Sequence, residues 1–244
     1  MSMSKRHGSY GFDAPWALAG LLLGAIVLLG LAGISFALDV LPAGVAFLFG
    51  GLYTLASAVS YLYTTRRGKF VVWDRELRRL RGDERLLDLG CGRGAVLLLA
   101  AGRLERGSAT GVDRWRTKDQ SGNRAPVTRR NAELEGVSDR VRLVTGDLRD
   151  LPFCDDSYDV VVASQSVHNI PDAEGRAQAV REALRVLRPG GLVLIADFQH
   201  TPAYEDTLRD LGVIDVRRRN AGWRFWYGGP WFATGIVEAR KPAA

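Results

Sequence analysis

Three acids and two histidines are placed where they could do chemistry. Asp88 lies in the apolar run Leu86-Leu87-Asp88-Leu89, directly before the glycine turn Gly90-Cys91-Gly92-Arg93-Gly94. Glycines let the backbone come close to a ligand, and a helix start behind them offers free N–H groups. Asp113 ends a second apolar run, 25 residues after Asp88. An acid at that place can accept both hydroxyls of a ribose. Asp147 follows a third run, in Gly146-Asp147-Leu148. Its carboxylate suits an exocyclic amino group, and the neighbouring backbone N–H suits a ring nitrogen. His168 and His200 come just after a fourth and a fifth run. Each residue also has a plainer reading: a helix cap, a turn stabiliser, a solvated acid or a loop histidine. Three acids after three successive strands on one sheet edge point instead to a nucleoside-type cofactor.

The elements that would hold these residues alternate from Gly82 onward. Strands are expected at Arg85–Leu89, Ala109–Asp113, Val141–Thr145, Asp159–Ser164 and Leu192–Asp197. Helices are expected near Ala95–Leu104, Arg124–Glu135, Ala173–Leu187 and Ala203–Leu211. Such alternation predicts an α/β, doubly wound parallel sheet covered on both faces. Val213–Arg219 and Thr234–Arg240 read as two further strands with no helix between them, hence an antiparallel hairpin at the C-terminus.

The N-terminal quarter is a different object. Residues 14–63 hold one charge, Asp39, while the rest of the chain is densely charged. Trp16 to Leu38 is long enough to cross a bilayer. Asp39, Pro42 and Gly44 then mark a break before a second apolar run, about Val40 to Tyr63. Two such runs in succession do not fit a cleaved signal peptide, so a transmembrane helical hairpin is expected. Gly20 with Gly24, and Ala56 with Ser60, form small-residue pairs of the kind found at helix contacts. They would serve contact within the hairpin or between copies in a homo-oligomer. Lys5 and Arg6 flank one end, and Arg66, Arg67 and Lys69 the other. That asymmetry predicts a multi-pass protein of the cell membrane with both termini and the catalytic domain in the cytoplasm. Trp16, Tyr61 and Tyr63 stand where interfacial aromatics belong. Phe70, Trp73, Leu77 and Leu80 form a helical stripe beside several arginines. This helix either lies on anionic lipid or covers the sheet. The expected domains are therefore an anchor at 1–65, an amphipathic linker at 66–81 and the catalytic domain at 82–244. Cys91 and Cys154 show neither disulfide nor metal spacing, and no metal constellation is present in the sequence.

Asp88-Leu89-Gly90-Cys91-Gly92-Arg93-Gly94, Gly111-Val112-Asp113, Gly146-Asp147, Tyr158 to Ser164 and Leu187-Arg188-Pro189-Gly190-Gly191 together resemble the class I S-adenosylmethionine-dependent methyltransferases. The resemblance covers about Gly82 to the C-terminus. It implies a Rossmann-like sheet of seven strands with S-adenosylmethionine as cofactor and S-adenosylhomocysteine as product. By the same resemblance, cofactor contacts fall on Asp88, Gly90, Cys91, Gly92, Asp113, Arg114, Asp147, Leu148 and Ser164. The connection from Arg114 to Asn123 is longer than the family's usual one. A flap carrying Trp115 towards the adenosine, or a mere surface loop, would account for it. Gly90-x-Gly92-x-x-Ala95 also satisfies a loose dinucleotide pattern, so a membrane-tethered NAD(P)-dependent reductase is a competing reading. Asp88 beside the glycines disfavours a pyrophosphate and favours a sulfonium.

His168 and His200 are the candidate catalytic residues, as general base or as walls of an acceptor pocket; Asp197 and Tyr204 are further choices. The hairpin suggests an acceptor that partitions into membrane lipid: a quinone, a lipid or a similar lipophilic small molecule. The aromatic segment Trp223 to Trp231 could dip into the interface. The net charge of +6 fits lipid phosphate better than nucleic acid, because the basic residues gather beside the spans. A non-catalytic cofactor sensor is the other class of reading. Removing residues 1–65 is expected to spare cofactor binding and to reduce turnover of a membrane-embedded acceptor.

Overall fold

The computed structural model describes residues 6–117, 120–213 and 215–243. Two long helices come first, α1 (Pro15–Ala37) and α2 (Leu41–Tyr63). They pack antiparallel across a short turn in which Asp39 takes a positive φ. Both are long and apolar enough to cross a membrane, with mean hydropathy 2.5 and 1.6. Only 11% and 22% of their most apolar windows is buried. Large side chains such as Leu23, Ile26, Phe49 and Val59 face outward.

The close contacts inside the hairpin are not at the pairs the sequence singles out. A Cβ on Gly20 would meet nothing within 4 Å, whereas one on Gly24 would lie 3.6 Å from Thr54. The tight approaches are Gly51 on Leu29 and Gly44 on Phe36. Ser60 turns away and donates to the Trp226 carbonyl at 3.3 Å.

The second helix does not stop at the domain boundary. It passes through a π-turn at Thr64–Gly68 into α3 (Lys69–Glu76) and a short 3-10 turn at Leu77–Arg79. The continuous rod is 39 residues, about 58 Å at 1.5 Å per residue. Of the two readings for the amphipathic stripe, the structure shows the inward one. Phe70, Trp73 and Leu77 are buried in the core, and Arg79 pairs with Glu76 and Glu238.

The domain beyond it is a sheet of seven strands: β1 (Arg85–Leu89), β2 (Ser108–Asp113), β3 (Val141–Thr145), β4 (Tyr158–Ser164), β5 (Leu187–Asp197), β6 (Arg217–Asn220) and β7 (Gly235–Arg240). Their order is β3-β2-β1-β4-β5-β7-β6, with the first five parallel and β7 antiparallel to both neighbours. Side chains alternate between two cores, as strand geometry requires. Leu86, Val160, Val162 and Leu194 meet α3 and α4 (Ala95–Ala101). α5 (Ala125–Leu134) adds Ala132 to the same side. Leu87, Leu89, Val161 and Ile195 meet α6 (Ala173–Val186) and α7 (Thr201–Asp210). β6 begins later than the alternation in the sequence suggests. Val213 is a buried core residue, and Asp215 takes a φ of +59°, so extended backbone starts only at Arg217.

The first polar residues are not a free lead. The Ser9 N–H donates to Asn131 Oδ1 at 2.8 Å, Tyr10 OH to Glu135 at 2.9 Å, and the Phe12 N–H to Ser121 Oγ at 3.0 Å. Residues 9–13 thus form a strap across the sheet domain.

Candidate active site

One cavity of about 960 Å³ lies at the carboxyl ends of β1, β2, β4 and β5. Ligands bind at that edge in open α/β sheets. Every cofactor candidate from the sequence borders it: Asp88, Gly90, Cys91, Gly92, Asp113 and Arg114, with Asp147, Leu148 and Ser164.

The glycine turn is shaped by its neighbours. Gly90, Gly92 and Gly94 all take positive φ, which a side chain would strain. A Cβ on Gly90 would also collide with Ser166, whose Oγ is fixed by the Leu89 carbonyl at 2.6 Å. Asp113 anchors the turn to the loop after β2. It accepts from the Gly92 N–H at 2.8 Å, the Trp115 N–H at 2.6 Å and Asn123 Nδ2 at 3.1 Å. Oδ1 takes two of these and Oδ2 one. With two lone-pair sites per oxygen, Oδ2 retains one place for a ligand hydroxyl.

Asp88 is unlike the other acids. It is 1% exposed, and neither carboxylate oxygen has a hydrogen-bond partner. Burial, with a smaller contribution from the charge on Asp113, pushes its pKa up to about 8. Burial likewise pushes the Cys91 thiol up, so Cys91 is a neutral wall. Gln165 Oε1 and Asn123 Oδ1 are buried without partners on the same cavity. Gln165 also holds φ +53°, a conformation that costs a non-glycine residue free energy. Four orphaned acceptor oxygens on three residues around one space are what a polar cationic ligand would satisfy. Asp147 is in a different state. Arg149 grips its carboxylate at 2.7 Å and Arg114 approaches to 3.2 Å, and its pKa falls to about 2, mainly through the Arg149 hydrogen bonds.

The two histidines part company. His168 borders the cavity, and its Nδ1 lies 2.7 Å from Oδ1 of Asp197. Asp197 is fully buried and also accepts from the N–H groups of His168 at 3.1 Å and Phe198 at 2.9 Å, and from Tyr204 OH at 3.3 Å. A carboxylate so surrounded by donors keeps the proton of His168 on Nδ1 and leaves Nε2 as the basic nitrogen. Phe198 packs edge-on against the imidazole, centroids 4.7 Å apart. His200 is exposed at the start of α7 with φ +59° and does not border the cavity. Its left-handed backbone turns the chain into the helix and away from the rim.

Of the two readings of the connection after Asp113, a flap over the cofactor or a surface loop, the position of Trp115 does not match the flap. Trp115 is outside the cavity, packs on the sheet edge and donates from Nε1 to Thr145 at 2.9 Å. Residues 118 and 119 of the expected flap lie outside the described residues. The strap takes the place of a flap. Asp13 borders the cavity, receives Gln120 Nε2 at 3.1 Å, and pairs with buried Lys69 at 2.6 Å and Tyr227 OH at 2.9 Å. Tyr61 is correspondingly buried rather than interfacial, its OH donating to the Asp13 carbonyl at 2.6 Å. Lys69 is thus spent on Asp13, which leaves Arg66 and Arg67 as the exposed charges at that helix end. The partners of Asp13 lie 48 to 214 positions away in sequence. The cue available in the sequence is an acid just ahead of Pro15.

A seven-stranded mixed sheet with flanking helices, a glycine turn after β1 and acids at or near the carboxyl ends of β1, β2 and β3 make a Rossmann-like domain similar to that of the class I methyltransferases. Residues 87–195 match the family described as a methyltransferase domain. The 27-O-demethylrifamycin SV methyltransferase of Amycolatopsis mediterranei is 38% identical over 128 residues, 51% of this chain and 42% of that protein. The ubiquinone/menaquinone biosynthesis C-methyltransferase UbiE of Roseobacter denitrificans is 33% identical over 122 residues, 50% of this chain and 45% of that protein. The chain thus spans less than half the length of either relative. Among solved structures, the [4+2]-cyclase SpnF superposes with a TM-score of 0.57 at 22% identity, covering 70% of this chain and 82% of that one. That likeness concerns the fold alone. The cofactor of this domain class is S-adenosylmethionine, and the orphaned Asp88, the glycine turn and the remaining site on Asp113 fit it.

Proposed function

We propose that this chain is a membrane-anchored S-adenosylmethionine-dependent methyltransferase whose acceptor is a lipophilic molecule deprotonated by His168. The reading is carried by one observation: the His168–Asp197 pair and the unpartnered Asp88 open onto the same cavity, which continues between α1 and α2. Asp88, Gly90 and Gly92 would hold the amino-acid part of the cofactor, and Asp113 the ribose. Asp147 and the Leu148 backbone would face the base. When bound, S-adenosylmethionine supplies an electrophilic methyl group on a sulfonium.

The protein's own contribution is placement and proton removal. A cation bound beside Asp88 would favour loss of the proton that burial keeps on its carboxyl group, and the carboxylate would then contribute negative potential beside the positive charge. His168 Nε2 takes the proton leaving the acceptor's nucleophilic atom, and Asp197 stabilises the imidazolium that results. Phe198 and Tyr227 keep water from the imidazole. The relative from Roseobacter carries quinone biosynthesis in its name, which agrees with an acceptor that dissolves in a bilayer. The exposed apolar helices and the flanking Arg66 and Arg67 support anchoring with the catalytic domain on the cytoplasmic face.

The test is incubation of the full chain in nanodiscs with labelled methyl donor and a total membrane extract, followed by mass analysis. A labelled lipophilic product that is lost with His168→Ala is expected. Label confined to water-soluble products, or transfer by His168→Ala at the wild-type rate, would refute the assignment.

A further inference from the structure

The cavity does not end at the cofactor rim. It extends along the first turns of α1, bordered by Ala17, Gly20 and Leu21, and along the last turns of α2, bordered by Tyr53, Thr54 and Ser57. Gly20 is five residues into α1, about 8 Å along its axis, and Tyr53 is ten residues before the end of α2, about 15 Å. At this height the outward faces of the helices become fully apolar, with Leu22, Leu23, Phe49 and Leu52 exposed. The cavity wall therefore climbs to the level at which the helices would meet hydrocarbon.

The residues around this outer chamber are suited to an opening. Ala17 and Gly20 are small and exposed, and a Cβ on Gly20 would meet nothing within 4 Å. Across from them stand Trp231, 66% exposed, and Phe232. Trp231 leans on Tyr53 with ring centroids 5.8 Å apart. The loop that carries these aromatics is fastened to α2 from below: Thr64 Oγ1 donates to the Trp226 carbonyl at 2.7 Å, and Trp223 stacks on Tyr63 at 5.4 Å. Polarity changes along the cavity. Ala17, Gly20, Leu21 and Trp231 border the outer end with Thr54, whose hydroxyl is turned to the Gly50 carbonyl at 2.8 Å, and the charged or titratable Asp13, His168 and Tyr227 border the inner one. A volume of about 960 Å³ lies at the top of the range for small-molecule sites, roughly 300–1,000 Å³.

From this we infer that the outer chamber is an acceptor-tail site, entered from the bilayer between Gly20 on one side and Tyr53 and Trp231 on the other. Its occupant is a long apolar chain whose hydroxyl-bearing head reaches His168. The inference rests on the methyltransferase reading and adds to it the route and the form of the acceptor. A water-soluble acceptor has no use for walls that climb a membrane helix. A chain left in the bilayer would draw its head group away from His168. Each methylene moved from water into such a chamber contributes about 0.8 kcal/mol, but one moved from lipid contributes almost none. The chamber therefore acts as a guide that sets the depth and direction of the head group. Selection at this site falls on shape, and filling the mouth excludes the chain.

The test uses the full chain in phosphatidylcholine nanodiscs. The probe is a phenol with a saturated para-hexadecyl chain that carries a diazirine at mid-chain. Irradiation followed by peptide mapping should place label on the segments containing Ala17 to Leu21 and Tyr53 to Ser57, and unlabelled para-hexadecylphenol should compete it away. Gly20→Phe and, independently, Ala17→Phe should lower that label by about tenfold or more, the mark of at least one decade lost in affinity. Leu23→Phe, on the outward face, should leave it unchanged. Label spread over the outward residues of both helices without competition would overturn the inference, as would undiminished label in both mouth variants. Calorimetry with S-adenosylhomocysteine on the same nanodiscs separates the two readings. Failure of the wild type to bind it would sink the methyltransferase assignment itself. Binding retained without label in the chamber would sink the tail site alone.

Discussion

Asp88→Asn should stabilise the ligand-free protein while abolishing cofactor binding. The carboxyl group is buried without a hydrogen-bond partner, and its pKa rises from 3.8 to about 8. The folded chain therefore holds a proton that the unfolded chain releases. Stability must fall as pH rises from about 4 to about 8 and then level off. At pH 7 the interval from 3.8 is a little over three pH units. At about 1.36 kcal/mol per unit, ionisation in the unfolded state opposes folding by about 4 kcal/mol. Water entering the cavity relaxes part of this, so about 2 kcal/mol is a cautious expectation. Asparagine has the same shape and does not titrate. For a chain of this size, about 2 kcal/mol raises Tm by about 4–8 °C. The assay is thermal unfolding of both proteins in nanodiscs from pH 4 to pH 8, followed by tryptophan fluorescence. The variant should melt higher at pH 7 and the gap should close towards pH 4, while S-adenosylhomocysteine binding by calorimetry disappears. A variant that melts at or below wild type at pH 7 and 8, or a gap that does not change with pH, would refute the account of Asp88 as a residue destabilised for the sake of its ligand.

Other residues make separate predictions. His168→Ala should lower turnover by about 10²–10⁴-fold, the usual contribution of a positioned base, with cofactor affinity unchanged. Asp197→Asn should shift the pH dependence of kcat as well as its size, because the Nδ1 partner of His168 changes; a flat effect across pH would count against orientation by Asp197. Asp13→Ala strands the Lys69 ammonium, whose side chain is 7% exposed, and should destabilise by about 3 kcal/mol. The double variant Asp13→Ala with Lys69→Met should recover most of that loss in a denaturation series. Gly68→Ala places a methyl group on the Arg224 carbonyl, so it should lower Tm through a shift of about 1–3 kcal/mol and loosen the aromatic loop, read by proteolysis between residues 223 and 232.

What could be read from the sequence follows from the range of the interactions. The strands announced themselves because burial on both faces leaves runs such as Leu86 to Leu89 and Val160 to Ala163 with little choice of residue. The rim acids were legible because each lies within two positions of the end of its own strand. The dyad was not. His168 and Asp197 are 29 positions apart, and only the parallel pairing of β4 with β5 brings their ends together. Without that register His200 was an equal candidate. The strap was hidden for the same reason, since Ser9, Tyr10 and Asp13 find partners more than a hundred positions away as well as near ones. Gly20 shows the limit of spacing rules. Its relation to Gly24 matches a helix-contact pattern, yet one glycine touches α2 and the other borders open space.

The continuity of α2 into α3 gives the two ends of the cavity a fixed relation. A tether of loose residues would leave a membrane chamber and a soluble site to meet by chance. Here Tyr53 and Thr54 border the outer chamber, Tyr61 and Lys69 border its middle, and Trp73 donates to Ser164 at the rim at 2.8 Å, all on one unbroken helical rod. The π-turn at Thr64–Gly68 falls where this rod crosses the aromatic loop. One extra residue in the turn re-aims everything beyond it, and Gly68 lets the Arg224 carbonyl approach the backbone there. Lys69 next to it then meets Asp13 of the strap and, through Asp13, Tyr227 of the loop. Helix, strap and loop therefore converge on one ion pair, that of Asp13 with buried Lys69, on the wall of the cavity. Its position gives the hairpin a role in aligning the outer end of the cavity with the rim.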